Sequence, residues 1–344
     1  MRYYFPLLEQ CLYFNTAYTA PLSTDLRQWR LEDDEHFFTG GDHYKLKQEK
    51  NYIKEARIAL ASFVGALPEN TFISSNFSSA LQNFLIQLPR HYRFLSLKEE
   101  YPSLTGVIQD LGFETTLIPL TATIEEDIWE ALQQNEYHVL ALSAIQYSNG
   151  FLVDFAILEK IKKAFPELII LVDGTQFIGA EEFSLTNSCV DALFGSAYKW
   201  LMAGHGTGFA LFSPKLLKQL ELKQEKLESI YDRGQRSVKA VGSLLFSLNK
   251  LLKADFPALI QHKKELTLLL FEGLKKRDLL DAATLARKNH SSILIIHVND
   301  SIYNALLDRK VRCIKRGSGV RLSVHHYNNE SDIYSLLAIL DELI

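Results

Sequence analysis

Cysteine is scarce: Cys11, Cys189 and Cys313 are the only three in 344 residues, and none forms a CxxC pair. Neither a disulfide framework nor a zinc knuckle is suggested, no metal site is expected, and a reducing compartment fits. A surplus of positive charge is also missing. Lys plus Arg number 37 against 41 Asp plus Glu, a formal charge of −4. The chain therefore has no basic footprint for nucleic acid and no polybasic membrane signal. No apolar run exceeds the length of a strand, which argues against a membrane span. The opening MRYYFPLLEQC has none of the parts of a secretory signal, so a cytoplasmic protein is expected. No repeat or low-complexity linker interrupts the chain. No GxGxxG joins a first strand to its helix, which sets aside a nicotinamide-binding Rossmann protein.

What the chain does contain is an alternation of two periods. Strand-like runs fall at 71–74, 92–96, 115–118, 138–143, 168–172, 190–194 and 208–212. Apolar residues at helical spacing fall at 48–64, 78–88, 103–111, 124–134 and 154–164. Several strands are apolar throughout, as strands buried on both faces must be. An α/β fold with a mostly parallel seven-stranded sheet between helices is predicted. A long helical stretch over 236–276 follows, then strands at 293–298 and 319–324 and a last helix at 331–343. These predict a small C-terminal α+β domain. The expected division is a segment 1–20 packed with the small domain, a large domain over 21–238, and a linking helix with the small domain over 239–344. The 15 Tyr and 21 Phe are expected to fill the core and a subunit interface.

Two residues carry the chemistry. Asp173 ends the apolar run LIILV, at the carboxyl edge of a strand, where open α/β sheets bind ligands. Lys199 follows the apolar stretch VDALFGSAY. A buried lysine loses its proton readily, and the neutral amine attacks a carbonyl. Together they suit pyridoxal phosphate (PLP): the lysine on its aldehyde, the acid against its pyridine nitrogen. A pyridinium so held accepts electrons when a bond to a substrate α-carbon breaks. Taken alone, Asp173 reads more readily as a loop or helix cap, and most lysines are solvated. SSNFSSAL (74–81) joins a strand to a helix and offers hydroxyls, backbone N–H groups and a helix N-terminus for a phosphate. It also reads as an N-cap with spare serines.

The combined segments VDGTQ and VDALFGSAYKWLMAGHGTGFALF resemble the signature of class V aminotransferases. These are fold type I PLP enzymes that include cysteine desulfurases, kynureninases and isopenicillin-N-epimerase-like proteins. LYFNTAYTAPLS, SSNFSSALQNFL, EEYPS, LSAIQYSNGFLVD and GVRLSVHHYNNESDI extend the likeness over nearly the whole chain. It implies a Schiff base at Lys199, which would then shuttle the α-proton, and a pyridinium partner in Asp173. Gln176 and Gln146 would meet the ring's phenolic oxygen, and Tyr101 would stack on its face. Phe77, Ser78, Ser196 and Tyr198 would hold the phosphate. Arg321 would grip the substrate carboxylate, a task that suits a guanidinium fork. A homodimer and an amino-acid or keto-acid substrate are implied as well.

The departures bear on the reaction. Tyr101 and Tyr198 stand where desulfurases carry histidines. Cys313 lies in a predicted strand of KVRCIKRGSGVR, without a long active-site loop, and is expected to be structural. In place of the usual Gly-Thr that reaches the neighbouring subunit's phosphate stands GQRSVK, with Gln235 or Arg236 as substitutes. The expected activity is transamination of a small amino acid. Epimerase, lyase, desulfurase or kynureninase-type chemistry on the same scaffold is the alternative, and a binding protein with little catalysis is the third reading.

Overall fold

The computed structural model describes residues 4–317 and 319–344. A short strand β1 (Leu12–Tyr13) precedes a long helix α1 (Thr24–Phe63). Strands then alternate with helices: β2 (Thr71–Ser74), α2 (Phe77–Leu85), β3 (Arg93–Leu97), α3 (Pro102–Asp110), β4 (Glu114–Ile118), α4 (Ile124–Gln134), β5 (Val139–Ser143) and α5 (Phe155–Ala164). Next come β6 (Ile169–Asp173), β7 (Ala192–Ser196) and β8 (Gly208–Phe212), then α6 (Pro214–Gln219), α7 (Gln224–Tyr231), α8 (Val238–Lys253) and α9 (Phe256–Lys275). The chain ends with α10 (Ala282–Ala286), β9 (Ile293–Ile296), α11 (Asp300–Asp308), β10 (Val311–Arg312), β11 (Ile314–Arg316), β12 (Gly319–Ser323) and α12 (Glu330–Leu343).

The central sheet has seven strands in the order β2-β8-β7-β6-β5-β3-β4, and β8 alone runs against the others. Its middle strands are buried from end to end. Successive side chains enter opposite cores, as the pleat requires. Leu140, Leu142, Ile170, Val172 and Leu193 pack on one face with α8 residues Val241, Leu244 and Leu248. Val139, Ala141, Ile169, Leu171, Ala192 and Phe194 pack on the other with Phe84 and Leu104. This is the two-sided burial that the apolar strands predict.

Two helices differ from expectation. The helix expected at 48–64 is only the second part of α1, which starts at the Ser23 cap and is broken at Gly41 (φ 52°, ψ −120°). Asp33 secures the break by accepting hydrogen bonds from Tyr44 Oη (2.7 Å) and Tyr52 Oη (3.1 Å). The stretch expected at 236–276 is two helices. Pro257, in the first turn of α9, lacks the N–H that a continuous helix needs, and Asp255 caps the new start.

Near the C-terminus, β11-β12-β9 form an antiparallel sheet. Val320, Leu322, Leu294 and Ile296 face α9 and α12. The alternate residues Arg321, Ser323 and Ile293 therefore face the central sheet. The N-terminal segment joins this unit, because β1 pairs in parallel with β10. A buried ion pair ties the two parts together. Arg287 reaches both carboxylate oxygens of Glu125 at 2.7 Å and also donates to the carbonyls of Ala122 and Leu152.

Candidate active site

The loops at the carboxyl ends of β5, β6 and β7 enclose a cavity of about 340 Å³ with the start of α2. Its wall includes Phe77, Ser78, Tyr101, Asp173, Gln176, Ser196, Tyr198 and Lys199. Eight of the ten expected site residues are thus brought together from four separate stretches of chain. Larger clefts exist on the surface, but the one of about 710 Å³ lies beside α1 and contains none of these residues.

Lys199 follows β7 in a turn closed by the Met202 N–H on its carbonyl. Its side chain is buried, and no hydrogen bond or ion pair among the described residues engages its amine. Burial lowers its pKa from 10.5 to about 7; Asp173 opposes the shift, while Arg321 and Arg316 reinforce it. The contrast with Lys263 is instructive. That lysine is equally buried, yet its amine donates to Glu181 Oε1 at 2.8 Å. A buried amine left unpaired beside a cavity is available for chemistry.

Asp173 is the last residue of β6. Burial raises its pKa, while hydrogen bonds from Thr175 and the charge of Lys199 oppose the rise. The Thr175 N–H reaches Asp173 Oδ1 at 2.8 Å, and the Ser196 N–H reaches Thr175 Oγ1 at 3.2 Å. Thr175 therefore ties the acid to the strand that leads to the lysine. Sequence reasoning passed over it, although its place two residues beyond Asp173 is the usual signature of such a side-chain turn.

At the start of α2, Asn76 caps the helix by accepting from the Ser79 N–H at 2.9 Å. The Phe77 N–H, expected to face a phosphate, donates instead to Ser196 Oγ at 3.0 Å. The first turn thereby becomes fixed to β7, and Ser196 keeps its hydroxyl proton for a ligand. Gly208 permits this approach. A Cβ there would stand 2.4 Å from the Asn76 carbonyl carbon. Gly208→Ala should cost roughly 1–3 kcal/mol through backbone displacement and weaken cofactor binding; urea unfolding and a cofactor titration measure the two effects.

Two expected residues stand behind the wall. Gln146 is turned away because its amide donates to Glu100 Oε1 at 2.6 Å and to the Ser143 carbonyl at 3.3 Å. Glu100 also accepts from the Ser143 N–H (2.8 Å), the Ser143 hydroxyl (2.5 Å) and the Tyr101 N–H (3.2 Å). It holds two parts of the wall, Ser143 and Tyr101, together with Gln146 behind it, and was not foreseen, being hidden as the second acid of EEYPS. Arg321 lies behind Tyr147, donating from Nη1 to its carbonyl at 2.7 Å, and its buried Nε has no partner. Gln176 does line the cavity, but its amide is engaged at both ends, by the Ala17 carbonyl and by Trp200 Nε1, each at 2.8 Å. Tyr101 packs edge-on against Phe77 and Tyr147. Tyr198 stacks on His205, and burial pushes its hydroxyl up to about 12.

The profile described as Aminotransferase class-V matches residues 39–336. The chain belongs to the class V aminotransferase family. A comparison with curated proteins found no match. Among solved structures, this class V chain superposes on C-DES carrying glycine covalently linked to its PLP cofactor, with a TM-score of 0.89 at 18% identity over 99% of this chain and 98% of the other. A complex of the cystine C–S lyase C-DES with cysteine persulfide gives 0.87 at 18% identity, with 98% of both chains covered. The cysteine desulfurase of Thermococcus onnurineus NA1 gives 0.82 at 17% identity, covering 100% of this chain and 97% of that one. Ureidoglycine-glyoxylate aminotransferase of Bacillus subtilis gives 0.76 at 11% identity, covering 97% and 92%. The fold is that of the fold type I PLP enzymes, and the protein is a PLP-dependent enzyme of this family. The site fits the cofactor: an unpaired buried amine for the aldehyde, a buried acid for the pyridine nitrogen, and Ser78, Ser79 and Ser196 for the phosphate. No helix among the described residues is long and apolar enough to cross a membrane.

Proposed function

We propose that this enzyme transaminates a small amino acid. One observation carries the reading: the unpaired Lys199 amine, lowered to about 7, shares a cavity with the buried carboxylate of Asp173. PLP, when bound, supplies the aldehyde that takes the substrate amine and a ring that stores electrons released at the α-carbon. Near neutral pH, Lys199 Nζ can both accept and return a proton, which suits it to move the α-proton. Asp173 would hold a proton at its pyridine nitrogen. Ser78 and Ser196 would offer hydroxyls to its phosphate, and Tyr101 would pack against its ring. Arg321 receives the α-carboxylate through the N–H groups that Tyr147 leaves free.

Thiolate chemistry receives no support. Burial pushes the Cys313 thiol up to about 12 and the Cys189 thiol up to about 11. Cys313 sits between β10 and β11 against the small core. Elimination from a sulfur-containing amino acid is the second reading, because the fold likeness to the cystine C–S lyase is high and such a reaction can proceed without a nucleophilic cysteine. A spectral screen of the holoenzyme against common amino acids separates the two. Transamination predicts conversion of the cofactor band by a donor and its recovery with a keto acid; release of pyruvate and a sulfur product from cysteine or cystine would overturn it.

The working form is inferred to be a homodimer. Among the described residues Lys199 is the only cation lining the cavity, and none lies at the expected phosphate end. Arg236, paired with Asp232 at 2.9 Å, lines the cleft beside α1 and could serve a neighbouring site. Sedimentation should give twice the mass of the chain, and Arg236→Ala should weaken PLP binding.

A further inference from the structure

Arg316 is the conspicuous cation that the reading above leaves without a task. It ends β11, opposite Gly319 of β12, while Ile314 is opposite Arg321. Antiparallel pairing puts directly opposed side chains on one face, and positions two apart share that face. Arg316 and Arg321 are therefore diagonal neighbours on the face turned toward the central sheet. Neither guanidinium has an acidic partner among the described residues. Among the described residues Arg316 donates only to the neighbouring Lys315 carbonyl, at 3.4 Å, and its buried Nε meets no partner. Its Cζ lies 5.8 Å from the centroid of Tyr18, a ring about half exposed. The carbonyl of Tyr198, beside Lys199, accepts from the nearby Ala20 N–H. Arg321 is the deeper cation and Arg316 the one nearer solvent.

Like charges placed side by side without a counter-ion raise the energy of the empty site and favour an anionic occupant. With PLP bound, Lys199 would be committed to its aldehyde and Asp173 to its ring nitrogen. Two arginines then remain for the substrate. One matches an α-carboxylate; an ordinary neutral side chain leaves the other unused.

We propose that Arg316 is a specificity-determining residue that binds a second acidic group, so that the substrate is an amino acid with two carboxylates. This rests on the amino-acid reading of the same site. Aspartate, glutamate and cystine share the required chemistry and differ in the span between carboxylates.

The test uses the PLP-loaded protein and its Arg316→Gln and Arg316→Lys variants. Calorimetry compares unreactive succinate and glutarate with butyrate. Cofactor absorbance follows aspartate, glutamate, cystine and alanine, which reports the length preferred. In the natural protein the diacids should bind at least about tenfold more tightly than butyrate, the increment of one charged hydrogen-bonded contact. Arg316→Gln should bring that ratio close to one, and Arg316→Lys should restore part of it. A purely structural role would weaken diacids and butyrate alike and leave the ratio unchanged, which overturns the proposal. So would a ratio near one in the natural protein while alanine still changes the cofactor band. If no amino acid perturbs that band, the amino-acid reading itself fails and this proposal with it.

Discussion

Lys199→Ala should lower turnover by about a hundredfold to ten-thousandfold, the range lost with a positioned proton-transfer group, and borohydride should no longer fix PLP to the chain. The cause is local. Among the described residues the Lys199 amine is the only cation in the cavity wall, and none of the others there can stand in for it. Small amines added to the variant should recover part of the activity if the cavity stays intact. Retention of a borohydride-stable PLP adduct would refute the assignment. The same lysine also predicts a pH effect in the cofactor-free protein. Its pKa is about 7 folded against 10.5 ordinarily, so between those values the unfolded chain binds the extra proton. Stability should therefore rise with pH from about 7 toward 10.5 and level off beyond. Lys199→Met should flatten this slope to the share left by the buried Lys263, and thermal unfolding at pH 7, 8 and 9 would show it.

Arg287→Met should cost about 3–5 kcal/mol, the usual loss when one partner of a buried ion pair is removed. The side chains of Arg287 and Glu125 are 7% and 3% exposed, so water cannot take over the missing role. Burial raises the Glu125 pKa, but hydrogen bonds from Arg287 and the Asp154 N–H outweigh it and hold the acid below 4.5. Without Arg287 the buried acid favours its neutral form. The deficit should therefore be largest well above pH 4.5 and shrink as the medium becomes acidic. Urea unfolding at pH 5 and pH 8 measures this. Arg287→Met combined with Glu125→Gln should recover much of the loss, since no buried charge is then stranded.

The central sheet was legible because its strands are apolar throughout and its helices carry the 3.6 period. The first half of α1 was not: its residues are largely exposed and highly charged, so no apolar stripe marks it. β1 and β10 are two residues each and paired across about three hundred positions; no local pattern announces such a partnership. The cavity residues were foreseen where a motif names them, as with Asp173 and Lys199. The roles of Thr175 and Glu100 were not, because each depends on which groups a hydrogen bond reaches across the sheet. Phe77 shows the same limit in reverse. Its place on α2 was foreseen, but the direction of its amide toward Ser196 is set by the packing of Gly208 on Asn76.

The pairing of β1 with β10 has a consequence for biosynthesis. On the ribosome, Leu12 leaves the exit tunnel long before Val311 has been made, so the opening segment must wait unpaired. Ala17, whose carbonyl receives Gln176, waits with it. The Ala17 carbonyl that braces Gln176 of the cavity wall can therefore be locked in place only after translation has passed residue 311. Nascent chains stalled before residue 311 should leave this segment open to protease, while the earlier α/β layers are already protected.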